Sequence, residues 1–300
     1  MTRLYHLIHP ITQVQHFFML GLLVLSLALL MMLFSLSIQA EESSCQGDCV
    51  PVGKWDISVS VGLGIRTNPV IKQKNEIFTL VPKISYYGKR FFFENYDIGY
   101  TLIDQQAHQF NAILISSGFE QVFFNNGRIH SIELDNNAAH SDPPVTDHSR
   151  PTLKLHKRRT AGLSGFEYTY IHPNFDWQIQ ILQDVTHIHD GHKVRTAITV
   201  PWVNQKSRWA FSTGAIWQSQ QLIDYYYGVD DTEVYDASKA YRANASTAFY
   251  IKAQWERPLS QHWGLRALVD YKWLGSSVTR SPIIQEDALL TAYFAGVYHF

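Results

Sequence analysis

The last twelve residues, Leu289–Phe300, alternate: Leu290, Ala292, Phe294, Gly296, Tyr298 and Phe300 share one mostly apolar face. A two-residue period marks a β-strand, whose successive side chains point to opposite sides of the sheet. A tilted strand needs roughly 9–11 residues to cross a bilayer, so this one is long enough. The pattern recurs upstream. Trp177, Ile179 and Ile181 fall on one face, with Gln178 and Gln180 on the other. Phe249, Ile251, Ala253 and Trp255 likewise oppose Lys252 and Gln254. Strands live in hydrocarbon only when their backbone groups are paired around a closed sheet. One aromatic-ended strand would also suit a sandwich edge; the repetition predicts a closed antiparallel transmembrane β-barrel.

Eleven segments carry strand patterning: Lys54–Arg66, Ile77–Tyr87, Arg90–Ile103, His108–Phe119, Thr160–Ile171, Phe175–Thr186, Lys193–Val203, Ser207–Gln220, Ser246–Glu256, His262–Trp273 and Leu289–Phe300. Bacterial barrels of this kind have even strand numbers, short periplasmic turns and longer external loops. Counted back from Phe300, the connections 274–288, 221–245, 187–192 and 120–159 fall outside, and 257–261, 204–206 and 172–174 fall on the periplasmic side. An even count then requires one strand gained or lost before residue 119. Arg90–Ile103 is the weakest segment and could split into two short strands turning near Asn95. Twelve strands are therefore expected, with ten as the alternative.

The amino end does not share this pattern. Phe17–Phe34 is a continuous apolar or small-residue run behind Arg3, and no acidic residue precedes Glu41. It reads as a signal peptide over residues 1–40, cleaved after Ala40; a retained single-span anchor is the competing reading. Residues 41–53 then form a short periplasmic segment and 54–300 the barrel. Cys45 and Cys49, the only cysteines, could close a small disulfide in an oxidising compartment, though so short a loop would constrain little.

Charge narrows the function classes. The chain has 25 basic and 26 acidic side chains, so no broad basic field invites nucleic acid. Phe, Tyr and Trp make up 14% of the residues, and many fall at strand ends, where membrane-interface aromatics belong. The segment 120–159 holds Asp142-Pro143-Pro144 and Lys157-Arg158-Arg159, and it reads as an irregular external loop. Its basic patch could touch lipopolysaccharide, although a solvated face explains it as well.

The chemistry-bearing residues gather near the strand ends. His187, His189 and His192, with Asp190, have ligand types suited to zinc or copper, but Asp190-Gly191 is also a favoured hairpin turn. Asp184, Asp224, Asp230 and Asp231 supply acids, yet no serine sits in a recognisable nucleophile setting. No catalytic group, cofactor or metal is expected. Asp224, Tyr225, Tyr226, Tyr227, Gly228 and Val229 lie where a strand should leave the membrane, so the tyrosines would bury their rings and keep their hydroxyls wet. Gly228 could adopt a backbone angle closed to larger residues. A fold over the mouth and simple rim packing both fit.

At these residues the chain resembles the MltA-interacting protein (MipA/OmpV) family of Gram-negative outer-membrane proteins. Trp217-Gln218-Ser219 leading to Asp224–Val229, with Tyr241 beyond, is similar to the family's tryptophan strand and its tyrosine-rich loop. Asp184-Val185-Thr186 with Gly191 resembles its aspartate-loop-glycine segment. Tyr271, Leu274 and the Ser281-Pro282-Ile283-Ile284 step resemble the lead-in to the final strand. The 120–159 loop is longer than the family's usual one, and Arg90–Ile103 is poorer in glycine. The resemblance implies an outer-membrane barrel whose terminal Phe294, Tyr298 and Phe300 form a barrel-closing signal for the assembly machinery. It also implies contact with outer-membrane lipid and lipopolysaccharide, and an adaptor role between a murein transglycosylase and a murein synthase. A weakly selective solute pore and an adhesion protein are the alternatives.

Overall fold

Closure of the sheet is made by its two ends. In the computed structural model, which describes residues 52–71, 73–95, 97–117, 132–133, 152–153, 156, 158–234 and 239–300, the first long strand, Trp55–Arg66, pairs antiparallel with the last, Ala288–His299. Nine residue pairs join them, from Ser58 opposite His299 to Arg66 opposite Thr291. The Phe300 amide extends the seam by donating to the Ile57 carbonyl at 3.0 Å. The terminal aromatic residue is thus part of the ladder.

The strands are β1 (Trp55–Arg66), β2 (Glu76–Tyr87), β3 (Phe91–Glu94), β4 (Asp97–Gln105), β5 (His108–Ser117), β6 (Ile132–Glu133), β7 (Thr152–Leu153), β8 (Gly162–His172), β9 (Phe175–Asp184), β10 (His192–Val203), β11 (Arg208–Gln218), β12 (Ser246–Pro258), β13 (Trp263–Trp273) and β14 (Ala288–His299). All except β6 and β7 form one closed barrel of twelve antiparallel strands, each beside its sequence neighbour. β6 and β7 pair only with each other. The expected twelfth strand arises at the expected place: β3 and β4 are two short strands reversing at Asn95, whose φ is +53°. The Asn95 amide donates to the Ile84 carbonyl, and its side-chain oxygen accepts from the Ile84 amide, so one residue extends the short β2–β3 ladder. Beyond that ladder on β2 lies Pro82, which has no N–H to donate.

Alternation along each strand separates two environments. Ile181, Phe249, Ile251 and Phe294 point outward with half or more of their surface exposed, forming the apolar belt that hydrocarbon covers. Their neighbours Gln180, Leu182, Tyr250, Tyr293 and Ala295 are buried on the inner face. Near the end that carries Trp55 and His299, Arg266 reaches across the interior, donating to Glu256 at 2.6 Å and to Ser60 at 3.2 Å. Turns at this end are short; at the other end the chain makes its long excursions and its two described helices, α1 (Gln220–Tyr227) and α2 (Ser276–Thr279). No described helix is long and apolar enough to cross a membrane.

Some boundaries move. The strand expected over Ser207–Gln220 stops at Gln218, because α1 begins at Gln220. The strand expected to run to Thr186 stops at Asp184, where the chain turns back on that residue's own carboxylate. The signal peptide over 1–40, the Cys45–Cys49 pair and most of 41–53 and 120–159 lie outside the described residues.

Candidate functional site

Three carboxylates organise the long-loop end. The first is Asp184, the last inward-facing residue of β9. Its Oδ1 accepts the Thr186 amide at 2.8 Å and the Thr186 hydroxyl at 2.7 Å. Its Oδ2 accepts the amides of Ile188, His189 and Asp190 at 2.7, 2.7 and 3.0 Å. Positive φ angles at His187 (+54°) and Asp190 (+53°) wind the loop so that these amides converge, an anion nest whose anion is part of the chain. Burial works against the charge at this rim position, but the His189 amide, both Thr186 donors and the Asp190 amide outweigh it and hold the carboxyl well below the usual carboxylate range.

The histidines around this nest are structural in their contacts. His189 is buried; its Nδ1 accepts the Gly191 amide at 2.9 Å, and its ring lies against Tyr225 and Tyr226. His187 is exposed and pairs with Asp190 at 2.6 Å. A continued strand would put His187 and His189 on one side, but the strand has already ended at Asp184, and the two point to different environments. Among the described residues no three His, Cys, Asp or Glu side chains gather to hold a metal. Gly191 does not supply the unusual turn angle, which falls on Asp190. Its role is close approach: a Cβ there would lie 2.7 Å from both the Leu222 amide nitrogen and the Ser219 hydroxyl.

That contact seats α1. The Ser219 hydroxyl accepts the His192 amide at 2.9 Å, so the β10–β11 pairing runs directly into the helix start. Leu222, Ile223, Tyr226 and Tyr227 are buried, at the spacing of one helical stripe. Asp224 is the second organising carboxylate. Its Oδ1 accepts the Ala243 amide at 2.8 Å, and exposed Arg242 lies 3.4 Å from its Oδ2. Gly228 ends the helix with φ −66°, an ordinary extended angle; a Cβ there would run into the Asp224 carbonyl and carboxylate. The expectation of a special backbone angle at Gly228 is therefore corrected: crowding requires glycine.

Nor is the Tyr226 hydroxyl wet. Tyr226 is 1% exposed and donates to the Arg159 carbonyl at 2.9 Å, while Tyr225 accepts the Arg159 amide at 2.9 Å. Tyr227 is buried, and its carbonyl accepts the Ser281 hydroxyl at 2.6 Å. Ser281 and Pro282 thus sit where the approach to β14 is tied to the end of α1. Tyr241 and Val229 exchange backbone bonds at 2.8 Å, and the Tyr241 hydroxyl donates to the Ser277 carbonyl at 2.8 Å. Trp217 stands apart, facing outward on β11.

The third carboxylate is Glu233, which gave no sign in the sequence. It is 2% exposed and accepts the His156 amide at 2.6 Å and the Asp230 amide at 2.9 Å. Arg158 pairs with it at 3.1 Å and donates to the Gly228 carbonyl at 3.0 Å. Arg158 therefore belongs to a buried ion pair rather than to a solvated basic face. The Asp230–Asp231 pair remains exposed on this outer surface and reaches Arg242 through Asp230 at 3.5 Å.

The assembly forms a cap. Beneath it lies a cavity of about 480 Å³, bounded above by Tyr227, Leu274 and Val278 and walled by inward-facing side chains of the barrel. Deeper in this wall Glu167 accepts from Asn111 at 3.2 Å and from Gln180 at 3.0 Å, a buried polar row across three strands.

Comparison with known proteins places this architecture. The sequence profile of the family described as MltA-interacting protein MipA matches residues 61–300. Outer membrane protein Omp26La of Vibrio anguillarum is 31% identical over 87 residues, covering 29% of this chain and 34% of that protein. Outer membrane protein OmpV of Vibrio cholerae is 29% identical over the same length, with the same coverage. The matched stretch thus spans about a third of either relative. Among solved structures, the NanC porin covers 82% of this chain at 10% identity with a TM-score of 0.40. An outer-membrane channel from Pseudomonas putida F1 covers 87% at 9% identity with a TM-score of 0.35.

Proposed function

The chain belongs to the MltA-interacting protein MipA family and is an outer-membrane barrel, and on that footing we propose that it is a non-enzymatic adaptor for murein-synthesising and murein-hydrolysing enzymes. The family match over residues 61–300 carries this reading. The shape of the molecule is consistent with it. The external mouth is covered by a cap tied at three carboxylates, which suits a rigid frame. The periplasmic rim offers short, fixed turns. In one of these the Asn204 side-chain oxygen accepts from the Lys206 amide at 2.9 Å, the Ser207 amide at 2.8 Å and the Ser207 hydroxyl at 3.2 Å, holding exposed Lys206 out as a defined knob.

Co-purification in mild detergent tests the proposal. Wild type should recover a murein transglycosylase and a murein synthase, and Asn204→Ala with Lys206→Glu should reduce that recovery while heat-modifiable gel mobility stays native. Recovery of neither enzyme from the wild type would overturn it. A passive pore is the second reading, favoured by the polar cavity beneath the cap. Planar-bilayer recordings separate the two, since an adaptor needs no current.

A further inference from the structure

The cavity beneath the cap has a charge pattern that goes beyond either reading. Its lining holds five basic side chains, Arg66, Lys193, Arg195, Lys252 and Lys272, against two carboxylates, Asp97 and Asp270. Strand register shows how they are arranged. Lys252 stands opposite Asp270, Asp270 opposite Thr291, and Thr291 opposite Arg66, making one lateral row across four strands. Lys272 stands opposite Tyr250, Lys193 opposite Gln218, and Gln218 opposite Ser246, in rows nearer the cap. Glu76 lies 3.6 Å from Arg66, and Glu167 is occupied by Asn111 and Gln180. With both of these counted as well, the surroundings remain net basic. An excess of one sign inside a low-dielectric wall biases the field in the enclosed space.

A second observation is independent of charge. Tyr250 and Ser246, on the inner face of β12, are 4% and 7% exposed, and their hydroxyl oxygens have no hydrogen-bond partner in the protein. Both line the cavity. The Tyr250 ring lies flat against the wall because its neighbour on β11 is Gly214; a Cβ there would meet the Tyr250 hydroxyl at 2.7 Å. Buried hydroxyls are costly to leave unbonded, and turning these two toward the chamber would let a polar occupant bond them. The volume of about 480 Å³ lies within the range of small-molecule sites, roughly 300–1,000 Å³.

We propose that this chamber binds a small hydroxylated organic anion, its carboxylate held by the basic side chains and its hydroxyls by Tyr250 and Ser246 turned toward it. Binding does not depend on the adaptor role, and it requires no current through the barrel.

Isothermal titration of the detergent-solubilised full chain tests this with three probes of one size: glucuronate, glucose and glucosamine. Glucuronate should bind, glucose about tenfold or more weaker, and glucosamine not measurably. Lys252→Met should weaken glucuronate several-fold, Tyr250→Phe should weaken it less, and Asp270→Asn should strengthen it. Equal binding of glucuronate and glucose, or binding of neither, would overturn the proposal. So would an unchanged affinity in Lys252→Met with native heat-modifiable mobility. If Lys252→Met does not assemble, Asp270→Asn decides: tighter glucuronate binding supports the site, and unchanged or weaker binding refutes it.

Discussion

The barrel wall and its cap are held together by different means. In the wall, each residue's partner follows from register, and its environment from the parity of its position; Phe294 and Ala295 are neighbours in sequence and face opposite solvents. In the cap, three carboxylates draw together segments far apart in the chain. Asp184 gathers its own loop, Asp224 ties α1 to Ala243, and Glu233 ties the approach to β8 to the end of α1. A wall of this kind tolerates polar change on its inner face and resists charge on its outer one. A cap of this kind loses its shape when one acceptor is removed, because several donors are stranded at once.

Substitutions at four positions sharpen that contrast. The largest effect belongs to the wall. Phe294→Arg places a cation mid-strand in hydrocarbon, at a cost of about 2–4 kcal/mol; urea titration in detergent micelles should show that loss together with reduced assembly. Next is Asp184→Ala, which strands the amides of Thr186, Ile188, His189 and Asp190. Its cost is about 2–3 kcal/mol, confined to the cap, and limited proteolysis should cut within 185–191 while the wall keeps its heat-modifiable mobility. Gly228→Val should cost about 1–3 kcal/mol through crowding against Asp224, and Gly228→Ala nearly as much, because the angle there is ordinary and contact is what forbids a side chain. Tyr226→Phe, which removes the bond to Arg159, should cost about 1 kcal/mol, read from the same proteolysis rates.

The Asp184 carboxyl adds a pH signature. Its folded-state pKa is lowered, so its contribution is fully present above the unfolded value, about 3.9, and is lost as pH falls below that toward the folded value. Proteolysis resistance of the 185–191 loop should be level from neutral pH down to about pH 5 and decline only in stronger acid. A decline already near pH 6 would contradict this assignment to Asp184.

How far the sequence disclosed each region follows the same division. Period-two alternation locates ten of the strands directly, and Asn95 marks the split of β3 from β4, because a turn there needs a residue that tolerates positive φ. The cap was legible only in fragments. Asp184 and Gly191 stood out as a pair, yet Gly191 owes its place to α1, which lies about thirty residues on. The Gln220–Tyr227 helix is short, and its three consecutive aromatic residues read equally as strand end or rim. Its burial at 222, 223, 226 and 227 makes sense only once α2 and the approach to β8 cover it. The Arg158–Glu233 pair joins residues 75 apart, and no local pattern announces it. Local periodicity encodes the wall; the cap depends on contacts between distant segments.

Hydrogen exchange on the detergent-solubilised chain, resolved by peptide, measures this division most directly when wild type and Asp184→Ala are compared. Wild type should protect both the strand amides and those of 185–191 and 220–228; in the variant, the latter two segments should exchange rapidly while β9 to β14 stay protected. Loss of protection in the wall together with the cap, or no loss in either, would contradict the account.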